Sequence, residues 1–415
     1  MYEFQSGFRR SYSTDSCLIH LLDSIRENTA KGSFTGMIML DLQKAFYTVD
    51  HNILFGKLEL MGVKSVTWFK SYLSGRKQVV NIGKTFSKAS AVSCGVPQGS
   101  ILGPLLFLCY VNDMVTSIDK DCKLILYADD STILFSHKSP EFISAKLGQV
   151  LEGCSEWLVD NKLSLHLGKT EYILFGPKRK LNKDSQFNVN CNGHDIKGSK
   201  KVKYLGLVID NDLAGESIVQ NIISKVNAKL KFLYRNNNCL DFNTRKILCS
   251  ALLQCHFDYS CSSWYEGISK GLKKKLQIMQ NKVIRFIKGY TPRTSISFQD
   301  YVDLNMLNVN NRVKQMRLSH IHRVYYNKCP SYLKNNFERR EDNMQYNTRS
   351  SSFNFNVPNV NNVSKQTFYY HGILDWNSLP EEIKAVKNAQ KYKLMVKKYL
   401  LNKQVTDSIQ DFIYY

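Results

Sequence analysis

Long apolar runs, cysteine pairs and proline are all scarce in this sequence. Its 415 residues include 8 Pro and 22 Gly, and 43% are hydrophobic, which excludes a disordered or collagen-like chain. No apolar stretch reaches the ~18 residues of a membrane helix, since the longest, Ile101–Val111, is interrupted by Pro104. The eleven cysteines include no Cys-x-x-Cys pair, and the N-terminus has no signal-peptide pattern. We therefore expect an intracellular protein of the cytoplasm or nucleus, not secreted and without a membrane partner, whose cysteines are reduced and mostly buried.

Acidic residues are too few to balance the basic ones. The chain has 57 Lys and Arg against 35 Asp and Glu, a formal charge of +22. Residues 1–175 contain 18 basic and 17 acidic side chains, residues 176–300 contain 22 and 9, and residues 301–415 contain 17 and 9. A solvated basic surface would give the same sign without any ligand. The uneven distribution nevertheless favours nucleic acid, because Lys and Arg that neutralise phosphates dominate such binding.

The apolar pattern predicts an α+β fold of several domains. The apolar run Gly36–Leu42 is predicted to be a buried strand that ends at Asp41. Lys123–Tyr127 and Ser131–Phe135 are predicted to be the two strands of a hairpin, and Val202–Asp210 is predicted to be a further strand. Leu272–Lys288 is predicted to be a basic amphipathic helix. We expect three parts: an antiparallel sheet packed on helices in 1–175, a helical basic region in 176–300, and a small C-terminal region in 301–415.

Three carboxylates are the first candidates for chemistry. Asp41 closes one apolar strand, while Asp129 and Asp130 occupy the hairpin turn. Neighbouring strands would bring the three together, where their repulsion calls for a cation. Oxygen ligands without His or Cys favour Mg²⁺, and a pair of such ions is typical of phosphoryl transfer. The alternative is that Asp-Asp is simply good turn chemistry.

A second motif lies between these carboxylates in the chain. Gly95–Phe107 (GVPQGSILGPLLF) places glycines where a backbone approaches a neighbour closely, with the amide of Gln98 between them. A tight loop before a helix would explain the Gly and Pro residues but not the whole string.

Together these motifs resemble the reverse transcriptases of LINE-type, non-LTR retrotransposons, especially jockey-like elements. The matching segments, in chain order, are Gln5–Arg9, Leu40–Phe46, Gly95–Phe107, Tyr127–Asp130, Leu163–Lys169, Tyr204–Gly206 and Asp375–Pro380. The resemblance implies a right-hand polymerase palm with partial fingers, followed by a helical basic thumb and a small C-terminal region. It also implies an RNA-directed DNA polymerase that adds dNMP from a dNTP to a DNA primer on an RNA template.

The resemblance assigns roles residue by residue. Asp41, Asp129 and Asp130 would hold two Mg²⁺ ions, with Mn²⁺ as a substitute, and Lys169 would be a general acid unless it is merely a solvated lysine. Phe46 would exclude a 2′-hydroxyl by a clash, unless it is an ordinary core residue. The nucleotide-binding residues would be Leu42, Phe46, Gln98 and Gly99. The primer- or template-binding residues would be Arg9, Tyr127, Tyr204, Leu205 and Gly206, unless the two tyrosines are simple amphipathic core residues.

Two departures from the family pattern favour a second hypothesis. Tyr47 stands where the family usually has Asp, and Gln5 lies almost at Met1, so we expect the upstream fingers segment and the endonuclease of complete elements to be missing. The alternative function is a catalytically impaired, retrotransposon-derived nucleic-acid-binding protein.

A zinc site is a further alternative for one cysteine cluster. The candidate ligands would be Cys249, Cys255, His256 and Cys261. Their spacing fits zinc poorly, so small buried thiols on a helix are the preferred interpretation.

Overall fold

The computed structural model describes residues 1–181, 187–340 and 353–413. Its α-helices are α1 Thr14–Ala30, α2 His51–Leu60, α3 Val66–Leu73, α4 Leu102–Tyr110, α5 Pro140–Asp160, α6 Lys178–Leu181, α7 Glu216–Arg235, α8 Phe242–Leu252, α9 Gln254–Asp258, α10 Cys261–Trp264, α11 Lys270–Lys288, α12 Phe298–Leu304, α13 Val309–Tyr325, α14 Ser331–Lys334, α15 Phe368–Asn377, α16 Glu381–Lys384 and α17 Ala389–Ile413. In this part of the chain, no helix combines the length and the apolar composition that a bilayer span requires.

The strands are short, apart from those of one central sheet. They are β1 Phe34–Leu40, β2 Lys77–Gln78, β3 Asn81–Ile82, β4 Thr85–Phe86, β5 Ser90–Ala91, β6 Lys123–Tyr127, β7 Asp130–His137, β8 Glu171–Phe175, β9 Asn190–Cys191, β10 His194–Asp195, β11 Lys197–Gly198, β12 Lys201–Tyr204 and β13 Leu207–Asp210. The predicted hairpin is confirmed as β6 and β7, and the strand predicted in Gly36–Leu42 is confirmed as β1, which begins two residues earlier and ends at Leu40, just before Asp41.

The chain forms two compact units. The first comprises Met1–Thr14 and Gly32–Lys200, and the second comprises Asp15–Lys31 and Lys201–Tyr415. This division differs from the three expected parts. Residues 176–200 belong to the first unit, because β11 pairs with β8. The remaining residues of the expected second part and those of the expected third part form one unit, because α13 packs on both α11 and α17.

The first unit is built on a five-stranded sheet with the order β11-β8-β1-β7-β6. β1 lies between β7 and β8 and is antiparallel to both, and β7 continues into the hairpin with β6. Because β1 is central, almost all of its side chains are buried. The sheet thus brings the C-terminal end of β1 beside the start of β7, where the sequence places its acidic residues.

Helix α5 covers one face of this sheet at a glycine. The helix begins after Ser139, whose hydroxyl accepts a hydrogen bond from the Phe142 amide, with Pro140 in the first turn. A Cβ on Gly36 of β1 would lie 2.6 Å from Leu147 Cδ1 and still closer to Ile143 Cγ2. Only a residue without a side chain therefore allows α5 to pack against β1.

Gly36→Ala is expected to destabilise the first unit by about 1–3 kcal/mol through overpacking. Urea unfolding followed by circular dichroism would measure the change. The matched control is Gly56→Ala, since Gly56 lies inside α2 with no atom near the position of its missing Cβ. That control should be neutral or slightly stabilising because Ala favours a helix. Equal effects at both positions would contradict the packing argument.

The second unit begins with a correction to the sequence analysis. Val202–Asp210 was predicted to be one strand, which is wrong: β12 and β13 form an antiparallel hairpin with Tyr204 opposite Leu207. Its turn places Leu205 at φ 44° and Gly206 at φ 80°. A left-handed Leu is uncommon, so the apolar pattern gave no sign of a turn before the glycine.

Helix α1 belongs to the helices of the second unit. Its Asp23 carboxylate accepts hydrogen bonds from the amides of Phe368 and Tyr369 at 3.0 and 3.2 Å, at the start of α15. Arg26 donates to the carbonyl of Ser263 at 2.7 Å. These buried polar contacts join the early helix to residues more than two hundred positions later.

Candidate active site

The turn between β6 and β7 places two carboxylates at the end of the sheet. Tyr127 and Asp130 are the last pair of the ladder, so the loop consists of Ala128 and Asp129. Ala128 has φ 58°, a left-handed conformation that is uncommon for a residue with a side chain. Asp129 and Asp130 are both exposed. The turn therefore presents its carboxylates to solvent on a constrained backbone.

The N-terminal segment holds this turn in place. The side-chain oxygen of the buried Gln5 accepts hydrogen bonds from the amides of Ala128 at 3.0 Å and Gly7 at 2.8 Å. The Ser6 amide donates to the Leu126 carbonyl at 2.8 Å. A Cβ on Gly7 would lie 2.5 Å from the Ala128 nitrogen. Gln5 and Gly7 therefore support the position of Asp129, a role that the sequence analysis missed.

Asp41 reaches the same end of the sheet from β1. Leu40 pairs with Ser131, which follows Asp130, so the register brings Asp41 beside the hairpin turn. The Asp41 carbonyl accepts a hydrogen bond from the His166 amide at 2.8 Å. Lys169 Nζ lies 3.9 Å from the Asp41 carboxylate, and both side chains are substantially exposed. The structure thus brings together the predicted acidic residues and the predicted general acid.

The three carboxylates interact electrostatically. The pKa of Asp130 is raised by partial desolvation and by the negative charges of Asp129 and Asp41. Within residues 1–181, 187–340 and 353–413, no three His, Cys, Asp or Glu side chains lie close enough to hold an ion as they stand. The donor set still suits a hard cation, because its atoms are all carboxylate oxygens and their mutual repulsion would be relieved by positive charge.

The glycine-rich loop is held tightly against the segment that follows β1. Gly95 donates to the Val49 carbonyl at 2.7 Å, and Val96 donates to the Phe46 carbonyl at 2.8 Å. Gly95 has φ 84°, and a Cβ there would lie 2.7 Å from the Tyr47 carbonyl oxygen. These contacts explain why glycine is needed at this position, and they join two of the predicted nucleotide-binding segments.

Two neighbouring side chains after β1, Phe46 and Tyr47, contact different partners. Phe46 stacks on Phe107 of α4 with ring centroids 4.3 Å apart, so it is anchored on the core while remaining partly accessible. The Tyr47 hydroxyl donates to Gln98 Oε1 at 2.8 Å. This bond leaves the amide NH₂ of Gln98 free to donate elsewhere. The residue that departs from the family pattern therefore orients a predicted nucleotide-binding side chain.

The remaining predicted residues of the first unit are held mainly by backbone contacts. Leu42 is buried and forms a β-bridge with Leu165, and Gly99 has φ 81° with no atom within 4 Å of the position that a Cβ would take. Arg9 Nη1 donates to the carbonyls of Tyr2 at 2.9 Å and Gln5 at 2.8 Å. Arg9 thus folds the N-terminal segment and stacks its guanidinium over a tyrosine ring of the same segment.

Three predicted primer-binding residues lie in the second unit. Tyr204 is buried and its hydroxyl lies 3.7 Å from Cys17 Sγ. Leu205 and Gly206 form the turn of the β12–β13 hairpin, where the Tyr259 hydroxyl donates to the Leu205 carbonyl. The hairpin turn is therefore held by a side chain that follows α9.

The cysteines do not form a zinc site in the described residues. Cys249 and Cys261 are buried while Cys255 is exposed, and no metal-binding cluster includes them. Burial raises the pKa of the Cys249 thiol to about 12, so it stays protonated at neutral pH. All eleven cysteines are free; five are buried and three are exposed, so fewer are fully buried than expected.

Residues 1–209 match the family model described as reverse transcriptase (RNA-dependent DNA polymerase). The chain belongs to this family.

Its relatives include proteins of mobile elements. The chain is 29% identical over 299 residues to the RNA-directed DNA polymerase from mobile element jockey of Drosophila melanogaster, covering 69% of this chain and 32% of that protein. It is 26% identical over 296 residues to the probable RNA-directed DNA polymerase from transposon X-element of the same species, with the same coverage of 69% and 32%. The chain thus spans about a third of the length of these curated relatives.

Among solved structures, one of telomerase from Candida tropicalis, in complex with a fragment of telomeric RNA, is similar to this chain. Its TM-score is 0.36 at 14% sequence identity, and the match covers 74% of this chain and 50% of that chain.

Proposed function

We propose that the chain is an RNA-directed DNA polymerase of a non-LTR retrotransposon. In this proposal the first unit is the palm with part of the fingers, and the second supplies a thumb-like basic region. The observation that carries it is the convergence of Asp41, Asp129 and Asp130 at one end of the sheet, where their charges interact. Because the proposed substrates are nucleic acids, the chain would act inside the cell, in the cytoplasm or nucleus.

The proposed reaction is attack of a primer 3′-hydroxyl on the α-phosphorus of a dNTP, with release of pyrophosphate. Asp41, Asp129 and Asp130 would hold two Mg²⁺ ions, or Mn²⁺ in their place. When bound, such ions activate the attacking hydroxyl and stabilise the charge on the leaving group. The carboxylates bring no proton of their own to the reaction, so a separate donor is required.

Other residues of the chain would position and discriminate the substrates. Lys169, near Asp41, would give a proton to the departing pyrophosphate. Phe46, fixed by its stacking on Phe107, would leave no room for a 2′-hydroxyl and so favour dNTP over rNTP. The turn at Leu205 and Gly206 would contact the primer, as the family resemblance implies.

Primer extension tests the proposal directly. The wild-type chain, with oligo-dT annealed to poly-rA, should incorporate dTMP in the presence of Mg²⁺ and should stop when EDTA is added. Binding of the primer–template without any extension, in Mg²⁺ and in Mn²⁺, would instead support the non-enzymatic alternative. The excess of basic residues in 176–300 is compatible with either outcome.

Tyr47→Phe is expected to raise the KM for dTTP by about two- to tenfold, the value of one hydrogen bond of about 0.5–1.5 kcal/mol. The cause is loss of the Tyr47 hydroxyl that orients Gln98. Steady-state kinetics would measure KM and kcat separately, and kcat should change little. In a Gln98→Leu background, the same substitution should have no further effect. An additive loss in the double variant would contradict the coupling.

A further inference from the structure

An exposed β-arm belongs to the first unit. In the chain it lies between the two segments that contain the predicted nucleotide-binding residues, Leu42 and Phe46 before it and Gln98 and Gly99 after it. We define the arm as residues 74–91, and every one of these residues is exposed. Its short strands form two antiparallel pairs, β2 with β5 and β3 with β4. A two-stranded hairpin that packs on nothing is marginal in water. The arm is therefore expected to gain stability from a partner that covers it.

The arm has an apolar and strongly basic surface. Its large apolar side chains are exposed by 50% at Val79, 61% at Val80, 78% at Ile82 and 65% at Phe86. Its charged residues are Arg76, Lys77, Lys84 and Lys88, with no acidic residue among them. The sequence contains no Asp or Glu from residue 60 to residue 112. The near balance of charge in residues 1–175 hides this local excess.

A ladder of flat side chains lies at the base of the arm. Trp68 and Tyr72 of α3 stack with an interplanar angle of 5° and centroids 5.4 Å apart. The guanidinium of Arg76 lies 5.5 Å from the Tyr72 ring. Trp68 is 53% exposed, so about half of this side chain is open to solvent. We call Trp68, Tyr72 and Arg76 the aromatic ladder.

We propose that the arm and the aromatic ladder bind a single-stranded polynucleotide. The positive charge fits phosphates, and exposed aromatic and guanidinium planes offer stacking surfaces for bases that are not paired. A duplex keeps its bases stacked inside and could not use the ladder. In a polymerase, this surface would bind the unpaired part of the template, and that role rests on the proposed function. Binding of a single strand can be measured without catalysis.

Removing the charge of the arm tests the phosphate contacts. The full chain with Lys77→Gln, Lys84→Gln and Lys88→Gln would be compared with wild type by fluorescence anisotropy, using labelled oligo-rA and oligo-dA over a range of salt concentrations. We expect Kd for the single strands to rise roughly tenfold and the salt slope to fall by about 2, near 0.7 for each lost phosphate contact. Because these side chains are exposed, the fold should be unaffected.

A matched control uses three exposed lysines elsewhere in the first unit. These are Lys120, Lys138 and Lys200, changed together to Gln. The control should leave both Kd and the salt slope near the wild-type values. An equal loss in the two triple variants, or no loss in the arm variant, would overturn the proposal.

Trp68→Ala tests the stacking. We expect Kd for single strands to rise between about fivefold and a hundredfold, the effect of losing one stacked base, with duplex binding unchanged. Equal loss for duplex and single strand would overturn the ladder assignment. If sedimentation shows that arm substitutions dissociate a wild-type dimer without affecting strand binding, the arm is a contact between copies and the proposal fails.

The two proposals can fail separately. A wild-type chain that extends no primer, but loses strand binding on substitution of the arm, would contradict the polymerase function and support the arm. If the wild-type chain extends primers but substitutions in the arm leave single-strand binding unchanged, the polymerase function is supported and the arm proposal is contradicted. A difference between the oligo-rA and oligo-dA results would show which type of strand the arm prefers.

Discussion

Asp129→Asn is expected to abolish primer extension, by at least about a thousandfold, while leaving nucleic-acid binding intact. Asn has nearly the same shape as Asp but carries no charge, so it is a far weaker ligand for a divalent cation. The side chain is exposed on a turn whose backbone is held by Gln5, so the substitution removes no packing. Loss of extension would therefore report on chemistry rather than on folding.

Extension from oligo-dT on poly-rA, with anisotropy on the same substrate, would measure both properties. Asp121→Asn is the matched control, because Asp121 is also an exposed aspartate of the first unit and precedes β6. The control should extend primers as wild type does. If Asp129→Asn extended primers at the wild-type rate, the assignment of the hairpin turn as the catalytic centre would be wrong.

Arg317→Met is expected to lower the free energy of unfolding of the second unit by about 3–5 kcal/mol. Arg317 of α13 is 1% exposed and lies between two carboxylates, at 2.5 and 2.7 Å from Asp375 Oδ2 and 2.8 Å from Glu266 Oε1. Removing the guanidinium leaves two largely but not fully buried carboxylates without the arginine that pairs with both of them. Urea unfolding monitored by tryptophan fluorescence would measure the loss.

A compensated variant tests whether charge is the cause. Adding Glu266→Gln and Asp375→Asn to Arg317→Met removes the orphaned charges together with the cation, and should recover a large part of the lost stability. Failure of the triple variant to recover any stability would mean that Arg317 acts through packing alone.

The same cluster gives the second unit a pH dependence. Burial raises the pKa of Glu266, but the positive charges of Arg317, Lys273 and His371 outweigh it and lower the pKa from 4.5 to about 2. A carboxyl whose pKa is lower in the folded state stabilises the fold above its unfolded pKa. This stability is lost as the pH falls from about 4.5 to about 2. The loss of stability should be smaller in Glu266→Gln than in wild type, measured by urea unfolding across that range, because Asp241, Asp300 and Asp303 also have lowered pKa values.

The hairpin turn that carries Asp129 and Asp130 could be predicted because its signal in the sequence is local. Two apolar strands flank Ala-Asp-Asp within 15 residues, and the structure has the hairpin where the pattern placed it. The apolar residues beside Asp41 and beside Asp129 and Asp130 suggested that the two strands are neighbours in one sheet, and β1 does pair with β7.

The supports of the site could not be predicted, because they depend on contacts between distant residues. Gln5 accepts from an amide 123 positions away, and Tyr47 donates to a side chain 51 positions away. The sequence drew attention to both residues, but nothing in it indicates which distant atom either of them contacts. The turn at Leu205 was missed because it uses a conformation that an apolar residue rarely adopts. The arm was missed because its charge disappears in an average over 175 residues.

The membership of α1 in the second unit has a consequence for biosynthesis. Asp23 meets its partner amide 345 residues later in the chain. At 5–20 residues per second, the nascent helix would wait roughly 20 to 70 s for that partner to be translated. Meanwhile Leu18, Leu21, Leu22 and Ile25, all buried in the complete fold, belong to a unit whose other residues, from Lys201 onward, are translated later. We therefore expect the nascent chain to bind ribosome-associated chaperones. We also expect a fragment that stops at residue 200 to aggregate when expressed alone, because α1 would lack the rest of its unit.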